Sequence, residues 1–347
     1  MKCLMKTEKG EGNILIQDVP RPAAAPGNVL IKVRVAAVCG TDVHIYYDRF
    51  ANSPPLILGH EFSGVVAEVG QGVKRLKPGQ RVVSANNPGA CGQCRICSLG
   101  YPNLCPDKRA MGIHANGCFA EYVLLPEELI HVIPDNVSFE EAALTEPLAV
   151  SVHCVSHRCR VERGDAVVVF GAGAIGLLAA QVAAAEGAGT VLLAGTSRDV
   201  PIRLKIAEGL GLKTINVEEA DIVREVLSST GGCGADVVIE ASGSPKAIEQ
   251  GLRLLRRGGR MGISGITGQT AVAVNWDALI SKAVSLFFAY SSTNADWDKA
   301  LRFLAKKKVQ TRPLITHSFR MDRWREAFHS METMEAVRAI FTIGTGA

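Results

Sequence analysis

The sequence lacks a long uninterrupted apolar segment, and it has little net charge. Its most apolar run, residues 166–180, is interrupted by three glycines and is too short to span a bilayer. The formal net charge is only +4, and no extended run of Lys or Arg is present. Transmembrane proteins and nucleic-acid-binding proteins are therefore disfavoured, and neither a membrane nor a nucleic acid is an expected partner.

The N-terminal region has no apolar signal-peptide core, and the chain has no internal repeat or low-complexity segment. Ten cysteines without such a signal indicate a reducing compartment, so we expect a cytoplasmic protein. The 347 residues, of which 47% are hydrophobic and 21% charged, are enough for two domains with sizeable cores.

Four of the cysteines follow each other closely, with the spacing C-x2-C-x2-C-x7-C. They are Cys91, Cys94, Cys97 and Cys105. Glycines and prolines between them break regular structure, so that the sulfurs can converge. The alternatives are a loop of free thiols or two disulfides, but two-residue gaps suit metal ligands better than disulfide geometry. The spacing therefore predicts a structural zinc site with four thiolate ligands.

The pattern of apolar residues changes near Ser151. Before it, short alternating segments such as residues 29–35 predict a mostly-β region. After it, continuous apolar runs such as residues 165–170 and 235–240 alternate with helical segments. Runs of this kind are typical of strands that are buried on both faces of a parallel sheet. The sequence thus predicts an α/β protein with a mostly-β domain and a doubly wound parallel sheet.

A G-x-G-x-x-G segment directly follows the first of these parallel strands and opens a helix. In that context the glycines allow a tight turn and the close approach of a pyrophosphate, which binds at the helix N-terminus. The predicted cofactor contacts in this segment are Gly171, Gly173, Ala174, Ile175 and Gly176.

The end of the second parallel strand predicts which dinucleotide binds. An acidic residue usually holds the adenosine ribose there, but this position falls on Gly195. Thr196, Ser197 and Arg198 follow and offer donors for a 2′-phosphate. The sequence therefore favours NADP over NAD. The alternative is that Arg198 is a solvated surface residue and that Asp199 reaches the ribose.

Cys39, His60, Glu61 and Glu146 are candidate ligands of a second zinc ion. Three protein ligands and an open fourth position are the pattern of a catalytic zinc site. Spacing this wide would be weak evidence alone, but its combination with a dinucleotide-binding fold strengthens the prediction.

These motifs together resemble those of the zinc-dependent medium-chain alcohol dehydrogenases, over essentially the full length of the chain. The resemblance is closest to the polyol and L-threonine dehydrogenase branch, and it implies a GroES-like catalytic domain and a Rossmann domain. Residues 1–152, completed by 291–347, would form the first, and residues 153–290 the second. The segments that carry the resemblance are residues 39–44, 59–61, 91–105, 117–122, 146–148 and 171–176.

The resemblance implies that Cys39 and His60 bind the catalytic zinc. The third ligand remains open, because members of this family use either a residue near the position of Glu146 or the glutamate after the histidine, here Glu61. The other carboxylate would then hold a water molecule. With the structural site, the resemblance implies two zinc ions per chain.

The resemblance also implies a mechanism. Zinc would lower the pKa of an alcohol, and the nicotinamide would accept the hydride. The proton would leave through Thr41 and then, through the cofactor ribose, to His44. The loops after the later strands would lie beside the nicotinamide, with further cofactor contacts at Ala241, Ser242, Ile263 and Ser264.

The expected function is the oxidation, with NADP, of a secondary alcohol of a polyol, sugar derivative or small hydroxy compound. The alternatives are an NAD-dependent L-threonine- or butanediol-type dehydrogenase, a zinc-free reductase of the same superfamily, and a non-enzymatic nucleotide-sensing protein. The His60-Glu61 pair and the four-cysteine loop disfavour the zinc-free reductase, and the intact Cys39, Thr41 and His60 disfavour the non-enzymatic protein. Relatives are commonly tetramers or dimers, so we expect a homo-oligomer.

Overall fold

The computed structural model describes residues 1–344, which divide into two compact units. The first unit contains Met1–Glu146, Thr293–Ala305 and the described chain from Thr311 onward. The second contains Pro147–Ser292 and the short segment Lys306–Gln310. The divisions in the structure thus follow residues 146 and 292, whereas the sequence suggests them after residues 152 and 290.

Sixteen strands are found in residues 1–344: β1 (Lys2–Lys6), β2 (Ile14–Asp18), β3 (Asn28–Val38), β4 (Leu56–Ile57), β5 (Glu61–Val69), β6 (Arg81–Ser84), β7 (Tyr122–Pro126), β8 (Ile130–Val132), β9 (Ala166–Phe170), β10 (Thr190–Gly195), β11 (Lys213–Asn216), β12 (Ala235–Glu240), β13 (Leu255–Ile263), β14 (Ser285–Phe288), β15 (Ile315–Arg320) and β16 (Arg338–Thr342).

The same part of the chain forms eleven α-helices: α1 (Gly40–Tyr46), α2 (Arg95–Ser98), α3 (Phe139–Ala143), α4 (Thr145–Val152), α5 (Ala174–Glu186), α6 (Lys205–Gly209), α7 (Ile222–Ser229), α8 (Pro245–Leu254), α9 (Trp276–Lys282), α10 (Asn294–Ala305) and α11 (Trp324–Glu332). One turn of π-helix, His153–Arg158, extends α4. No helix in the described residues is long and apolar enough to cross a membrane.

The first unit is built on a seven-stranded sheet, in which β7 pairs with β3 and the other strands follow the order β15-β16-β3-β5-β6-β8. Strand β3 is central, because β5, β16 and β7 all pair with it. The alternating Val29, Ile31 and Val33 are fully buried as predicted, but Leu30 is buried too. The sequence pattern indicates a half-buried strand here, whereas the structure covers both faces of β3.

The second unit contains the predicted parallel sheet, with six strands in the order β11-β10-β9-β12-β13-β14. Its apolar strands are buried, as Val167, Val168 and Val169 in β9 illustrate with at most 2% exposure. The predicted fold class is therefore confirmed. Strand β14 was not predicted, because the turn after α9 lies at Ala283, which has a positive φ of 51°, and no glycine marks that turn.

Candidate metal centres and dinucleotide site

The four cysteines predicted to bind zinc converge in the first unit. Their four sulfur atoms all lie within 4.8 Å of one another, and the residues are Cys91, Cys94, Cys97 and Cys105. The sulfur of Cys105 is 3.6 Å from that of Cys91 and 4.0 Å from that of Cys94. Thiolates bound tetrahedrally at about 2.3 Å from zinc stand about 3.8 Å apart. The sulfurs therefore already have the spacing that a zinc ion requires.

Backbone amides hold these sulfurs in position. The amide of Cys94 donates to the sulfur of Cys91 at 3.4 Å, and the amide of Cys97 donates to the sulfur of Cys94 at 3.5 Å. Amide groups of Gln93 and Cys94 lower the pKa of the Cys91 thiol to about 7, whereas burial and the neighbouring thiols raise that of Cys97 to about 12. Several thiolates this close need a compensating cation, so the donor set fits zinc.

A second cluster of ligand atoms lies where β3 ends and β5 begins. Cys39, His60 and Glu61 each contribute one atom, and these atoms lie within 4.8 Å of one another. The antiparallel pairing of β3 with β5 sets Ala37 opposite Glu61, which brings the two segments together. Gly59 precedes His60 with a φ of +88°, and a Cβ there would lie only 2.3 Å from the ring of Phe119.

Glu61 is a buried carboxylate that has an ion-pair partner but no hydrogen bond. It is 0% exposed, neither of its oxygens has a hydrogen-bond partner, and burial raises its pKa well above the usual value. Arg338, at the start of β16, is 3% exposed, and its Nη2 lies 3.2 Å from Glu61 Oε1. The same guanidinium donates from Nη1 to the carbonyl oxygen of Val38 at 3.0 Å. A metal ion would satisfy the oxygens of Glu61, and the site therefore fits zinc.

Asp42 lies beside the other two candidate ligands. Its Oδ2 accepts a hydrogen bond from the amide of Cys39 at 2.8 Å, and its Oδ1 lies 3.7 Å from Nδ1 of His60. Nε2 of His60 then faces Glu61, 3.9 Å from Oε1. Burial raises the pKa of Asp42 to about 6, and the neighbouring His60 opposes this shift. A carboxylate behind a histidine is a common support for a metal ligand.

Glu146, in the first turn of α4, lies outside the group formed by Cys39, His60 and Glu61. Its Oε1 accepts a hydrogen bond from Nδ2 of Asn86 at 2.7 Å. Burial raises its pKa, and the charges of His60 and Cys39 both act on it. Glu61 is therefore grouped with the other two ligand atoms, while Glu146 lies close enough to interact electrostatically.

Helix α1 carries the two residues of the expected proton relay. Thr41 is half-buried, with its Oγ1 3.7 Å from the sulfur of Cys39. His44 is exposed, three residues further along the same helix. Residues three apart lie on one helix face, so a hydroxyl beside the cluster is followed by an imidazole at the surface.

In the second unit, the glycine-rich segment forms the turn between β9 and α5. Gly171 has a φ of +100°, and a Cβ on Gly176 would lie 1.7 Å from the carbonyl oxygen of Gly171. Gly173 caps α5, and no atom lies within 4 Å of the place of its Cβ. Ala174 and Ile175 form the first turn of the helix. The free space above this helix N-terminus suits a phosphate group.

The predicted contacts after β12 and β13 gather at the same edge of the sheet. Glu240 is 0% exposed, and its Oε1 accepts a hydrogen bond from the amide of Ser242 at 2.8 Å. Its carbonyl oxygen accepts another from the amide of Ser264, which follows Ile263, at 2.9 Å. The amide of Ala241 donates to the last residue of β9 at 2.9 Å. Glu240 thus ties both loops together next to the glycine-rich turn.

At the end of β10, the Asp199 side chain lies beside Gly195, the position where an acidic residue is usual. A Cβ there would lie 3.2 Å from Oδ2 of Asp199, so the Asp199 carboxylate occupies the adjoining space. That oxygen accepts hydrogen bonds from the amide and the hydroxyl of Thr196, both at 2.9 Å, while Oδ1 lies 3.2 Å from Nη1 of Arg203. Both oxygens of the Asp199 carboxylate are therefore engaged by neighbouring residues of the same turn.

The exposed rim of this strand end carries charges of both signs. Ser197 and Arg198 are exposed. The amide of Ser197 donates to Oε2 of Glu218 at 2.9 Å, and its hydroxyl accepts from Nδ2 of Asn216 at 3.1 Å. Glu218, beyond β11, brings a carboxylate that the sequence did not suggest.

Comparison with known proteins identifies the family. Residues 25–135 match the family described as Alcohol dehydrogenase GroES-like domain, and residues 174–306 match the family described as Zinc-binding dehydrogenase. The chain is 40% identical to the sorbitol dehydrogenase of Halalkalibacterium halodurans, over 99% of both chains. This protein is a zinc-dependent medium-chain alcohol dehydrogenase. The predicted family and its oxidoreductase class are confirmed.

Other members of this dehydrogenase family are also similar. The D-arabitol-phosphate dehydrogenase of Enterococcus avium is 36% identical over 94% of this chain and 93% of its own. The L-threonine 3-dehydrogenase of Pyrococcus horikoshii is 36% identical over 99% of both chains. A solved zinc-binding dehydrogenase from Sinorhizobium meliloti 1021, bound to NADP, superimposes with a TM-score of 0.90 at 31% identity over 98% of both chains.

Sequence reasoning missed several residues around the candidate metal centre of this dehydrogenase. Asp42 lies inside a recognised segment, so its position behind His60 could have been suspected. Asn86 has no local signal, because only a contact between distant segments brings it to Glu146. Arg338 likewise reaches the cluster through the pairing of β16 with the distant β3. A lone basic residue at the start of an apolar final strand, Arg338 in β16, was the one available hint.

We expect the Cys97→Ser variant to lose thermal stability, because three thiolates bind zinc less tightly than four. A loss of about 3 kcal/mol would lower Tm by roughly 6–12 °C. Calorimetry measures the shift, and Cys233→Ser, an exposed cysteine of the second unit, is the control. An unchanged Tm for Cys97→Ser would mean that the loop is not held by a metal.

Proposed function

We propose that this dehydrogenase oxidises a secondary alcohol of a polyol, sugar derivative or small hydroxy compound, with NADP as the oxidant, in the cytoplasm. The observation that carries the proposal is the group of Cys39, His60 and the buried Glu61, whose oxygens have no hydrogen bond. We assign one zinc ion to this group and one to the four cysteines. The similarity to a sorbitol dehydrogenase supports a polyol substrate.

Each candidate residue of the first unit would have its own role in the reaction. A zinc ion held by Cys39, His60 and Glu61 would supply a Lewis acid that lowers the pKa of an alcohol. The Glu146 carboxylate, held by Asn86, would orient a water molecule or a substrate hydroxyl. The Thr41 hydroxyl would accept the alcohol proton while passing its own proton on, through the cofactor ribose, to the exposed imidazole of His44, which would release it to solvent.

A second candidate is the NAD-dependent oxidation of L-threonine or a butanediol. It is favoured by similar proteins named L-threonine 3-dehydrogenase, and by a 2R,3R-butanediol dehydrogenase from Bacillus subtilis with a TM-score of 0.90 at 28% identity. A spectrophotometric panel of sorbitol, gluconate, L-threonine and butanediol, each with NAD and with NADP, separates the two candidates. Turnover of none of these substrates would count against both.

Substitutions in the metal cluster test the ligand assignment. We expect His60→Ala to retain one zinc per chain by elemental analysis and to lose turnover, while still binding NADP. Glu61→Gln should lose the same zinc on dialysis, because a direct ligand is removed. Glu146→Gln should keep both zinc ions and lose activity through poorer orientation, by about 10–100-fold. If Glu146→Gln loses this zinc ion and Glu61→Gln keeps it, the direct ligand is Glu146.

The preference for NADP is supported by the rim of β10. Gly195 has no carboxylate to repel a 2′-phosphate, Asp199 is committed to its turn, and exposed Arg198 can donate charge-assisted hydrogen bonds. We propose that Gly195, Thr196, Ser197 and Arg198 surround the phosphate. Its donors would be the Arg198 guanidinium and the Ser197 hydroxyl, because the amide and the hydroxyl of Thr196 donate to Asp199. The glycine-rich segment would hold the pyrophosphate, and the loops tied together by Glu240 would contact the nicotinamide.

We expect Arg198→Ala to lower kcat/KM for NADP by about one power of ten and to leave that for NAD unchanged. Glu218→Gln should raise kcat/KM for NADP, because it removes a carboxylate from the same strand end. Steady-state kinetics with both cofactors on one substrate measures these changes. Gly195→Asp is a poorer test, since its Cβ would be crowded by Leu204 and Asp199. Equal effects of Arg198→Ala on both cofactors would refute the assignment.

We also infer that a second copy of the chain covers part of the second unit. The edge strand β14 pairs with β13 alone among the described strands, and edge strands readily pair with another chain. The segment around it exposes large apolar side chains, which are Ile266, Trp276, Ile280, Phe288 and Tyr290. An edge strand paired antiparallel with its own copy would bury this surface in a closed two-fold dimer.

We expect the wild type to be a dimer or larger in light scattering, and Phe288→Lys to shift it toward the monomer. The cause is the charge placed on a strand edge that would otherwise be buried. Leu227→Lys, at an exposed position of α7 in the same unit, is the control and should keep the wild-type mass. A monomeric wild type would contradict the inference.

A further inference from the structure

The strand order of the parallel sheet in the second unit reverses between β9 and β12. In the order β11-β10-β9-β12-β13-β14, the chain first adds strands on one side of β9 and then on the other. A dinucleotide binds in the crevice outside the carboxyl ends of the strands at such a point. Glu240 is the last residue of β12 and lies opposite Phe170, the last residue of β9. It therefore stands at the edge of the sheet that borders this crevice.

The Glu240 side chain is a buried acid without a cationic partner. Its exposed fraction is 0%, and no lysine, arginine or histidine within residues 1–344 forms an ion pair with it. Oε1 accepts hydrogen bonds from the amides of Ser242 at 2.8 Å and Gly243 at 2.9 Å, and from the hydroxyl of Ser242. Oε2 is buried and has no hydrogen-bond partner. Glutamates are rarely buried to this extent unless they are paired, so this negative group calls for a positive one nearby.

The backbone around this carboxylate is tightly packed. A Cβ on Gly265 would lie 2.3 Å from Oε2 of Glu240 and 2.3 Å from the amide nitrogen of Gly243. A Cβ on Gly171, in the glycine-rich turn, would lie 2.9 Å from the amide nitrogen of Ser242. No side chain therefore separates the carboxylate from the two loops that it joins, or those loops from the turn that would bind the pyrophosphate.

The oxidised and reduced dinucleotides differ in the charge of the nicotinamide ring. The ring is positive in the oxidised form and neutral in the reduced form, whereas the phosphates and riboses are the same in both. Because the end of β10 would take the adenosine ribose, the nicotinamide half falls on the side of β12 to β14. A buried negative charge at the end of β12 acts through little solvent, so it distinguishes the two charge states of the ring.

We propose that Glu240 is a positioning residue for the nicotinamide half of the cofactor and that its negative charge favours the oxidised form over the reduced form. This assignment rests on the proposed dinucleotide-dependent function. The carboxylate acts through the loops that contain Ser242 and Gly265, which it holds against each other. The positive ring would supply the charge that the protein itself does not place beside Glu240.

Binding of the two forms of the cofactor, measured without turnover, tests this assignment. Zinc-loaded wild type and Glu240→Gln are titrated by calorimetry with NADP+ and NADPH, and with NAD+ and NADH, in the absence of an alcohol. Glutamine keeps an oxygen that can accept the amide hydrogen bonds but has no charge. We expect Glu240→Gln to raise Kd for the oxidised form about tenfold more than Kd for the reduced form. ADP-ribose, which lacks the ring, should bind both proteins alike.

Asp236→Asn is the matched control, because it removes a carboxylate from the other end of the same strand. Asp236 lies roughly 13 Å from Glu240 along β12 and pairs with Arg256 at 2.5 Å. This variant should keep the wild-type ratio of the two dissociation constants. A purely structural role of Glu240 would raise both dissociation constants by the same factor in Glu240→Gln. That result, or no change in either constant, would overturn the inference.

A second variant, Ser264→Lys, retains Glu240 and decides alone if Glu240→Gln does not fold. It places a positive charge on the loop after β13, which should repel the oxidised ring and shift the ratio in the same direction as Glu240→Gln. An unchanged ratio would contradict the inference and leave the proposed function intact. A wild type that binds neither form of either cofactor would instead count against the proposed function, so the two failures are distinguishable.

Discussion

The buried charges between β3, β5 and β16 are the constraint on which the first unit depends. Four acidic groups, those of Cys39, Asp42, Glu61 and Glu146, interact there with the single guanidinium of Arg338. Carboxylates removed from water are costly unless they are paired, and Arg338 can compensate only part of this negative charge. A divalent cation is the natural remaining partner, so metal binding and the stability of this unit are coupled.

The cysteine-bearing loop illustrates the same dependence on metal in a different way. None of the residues of α2 is buried, and the loop exposes Leu99, Tyr101 and Leu104 to solvent. With so little apolar burial of its own, the loop gains little from the hydrophobic effect. Four sulfurs at metal-binding distances are what remains to define its shape. The sheet is ordered by its apolar core, whereas the loop would be ordered by ligand bonds to a metal ion, and these are separate sources of stability.

Local motifs were predictable from the sequence, and long-range partners were not. The spacing of the four cysteines and the glycine-rich turn each encode their geometry within a few residues, so both could be recognised before any fold was known. Arg338 reaches Val38 across 300 positions of sequence, and no local pattern anticipates that contact. The same holds for Asp199, whose carboxylate fills the space beside Gly195, because a glycine in a sequence does not reveal what lies next to it.

Arg338 illustrates why a guanidinium suits the start of β16. It is planar and always charged, so it can donate to the carbonyl oxygen of Val38 and pair with the Glu61 carboxylate at the same time. A lysine carries a single point charge on a flexible stem and would not hold both groups in one fixed geometry. The arginine therefore links the last strand of the sheet to the candidate metal ligands.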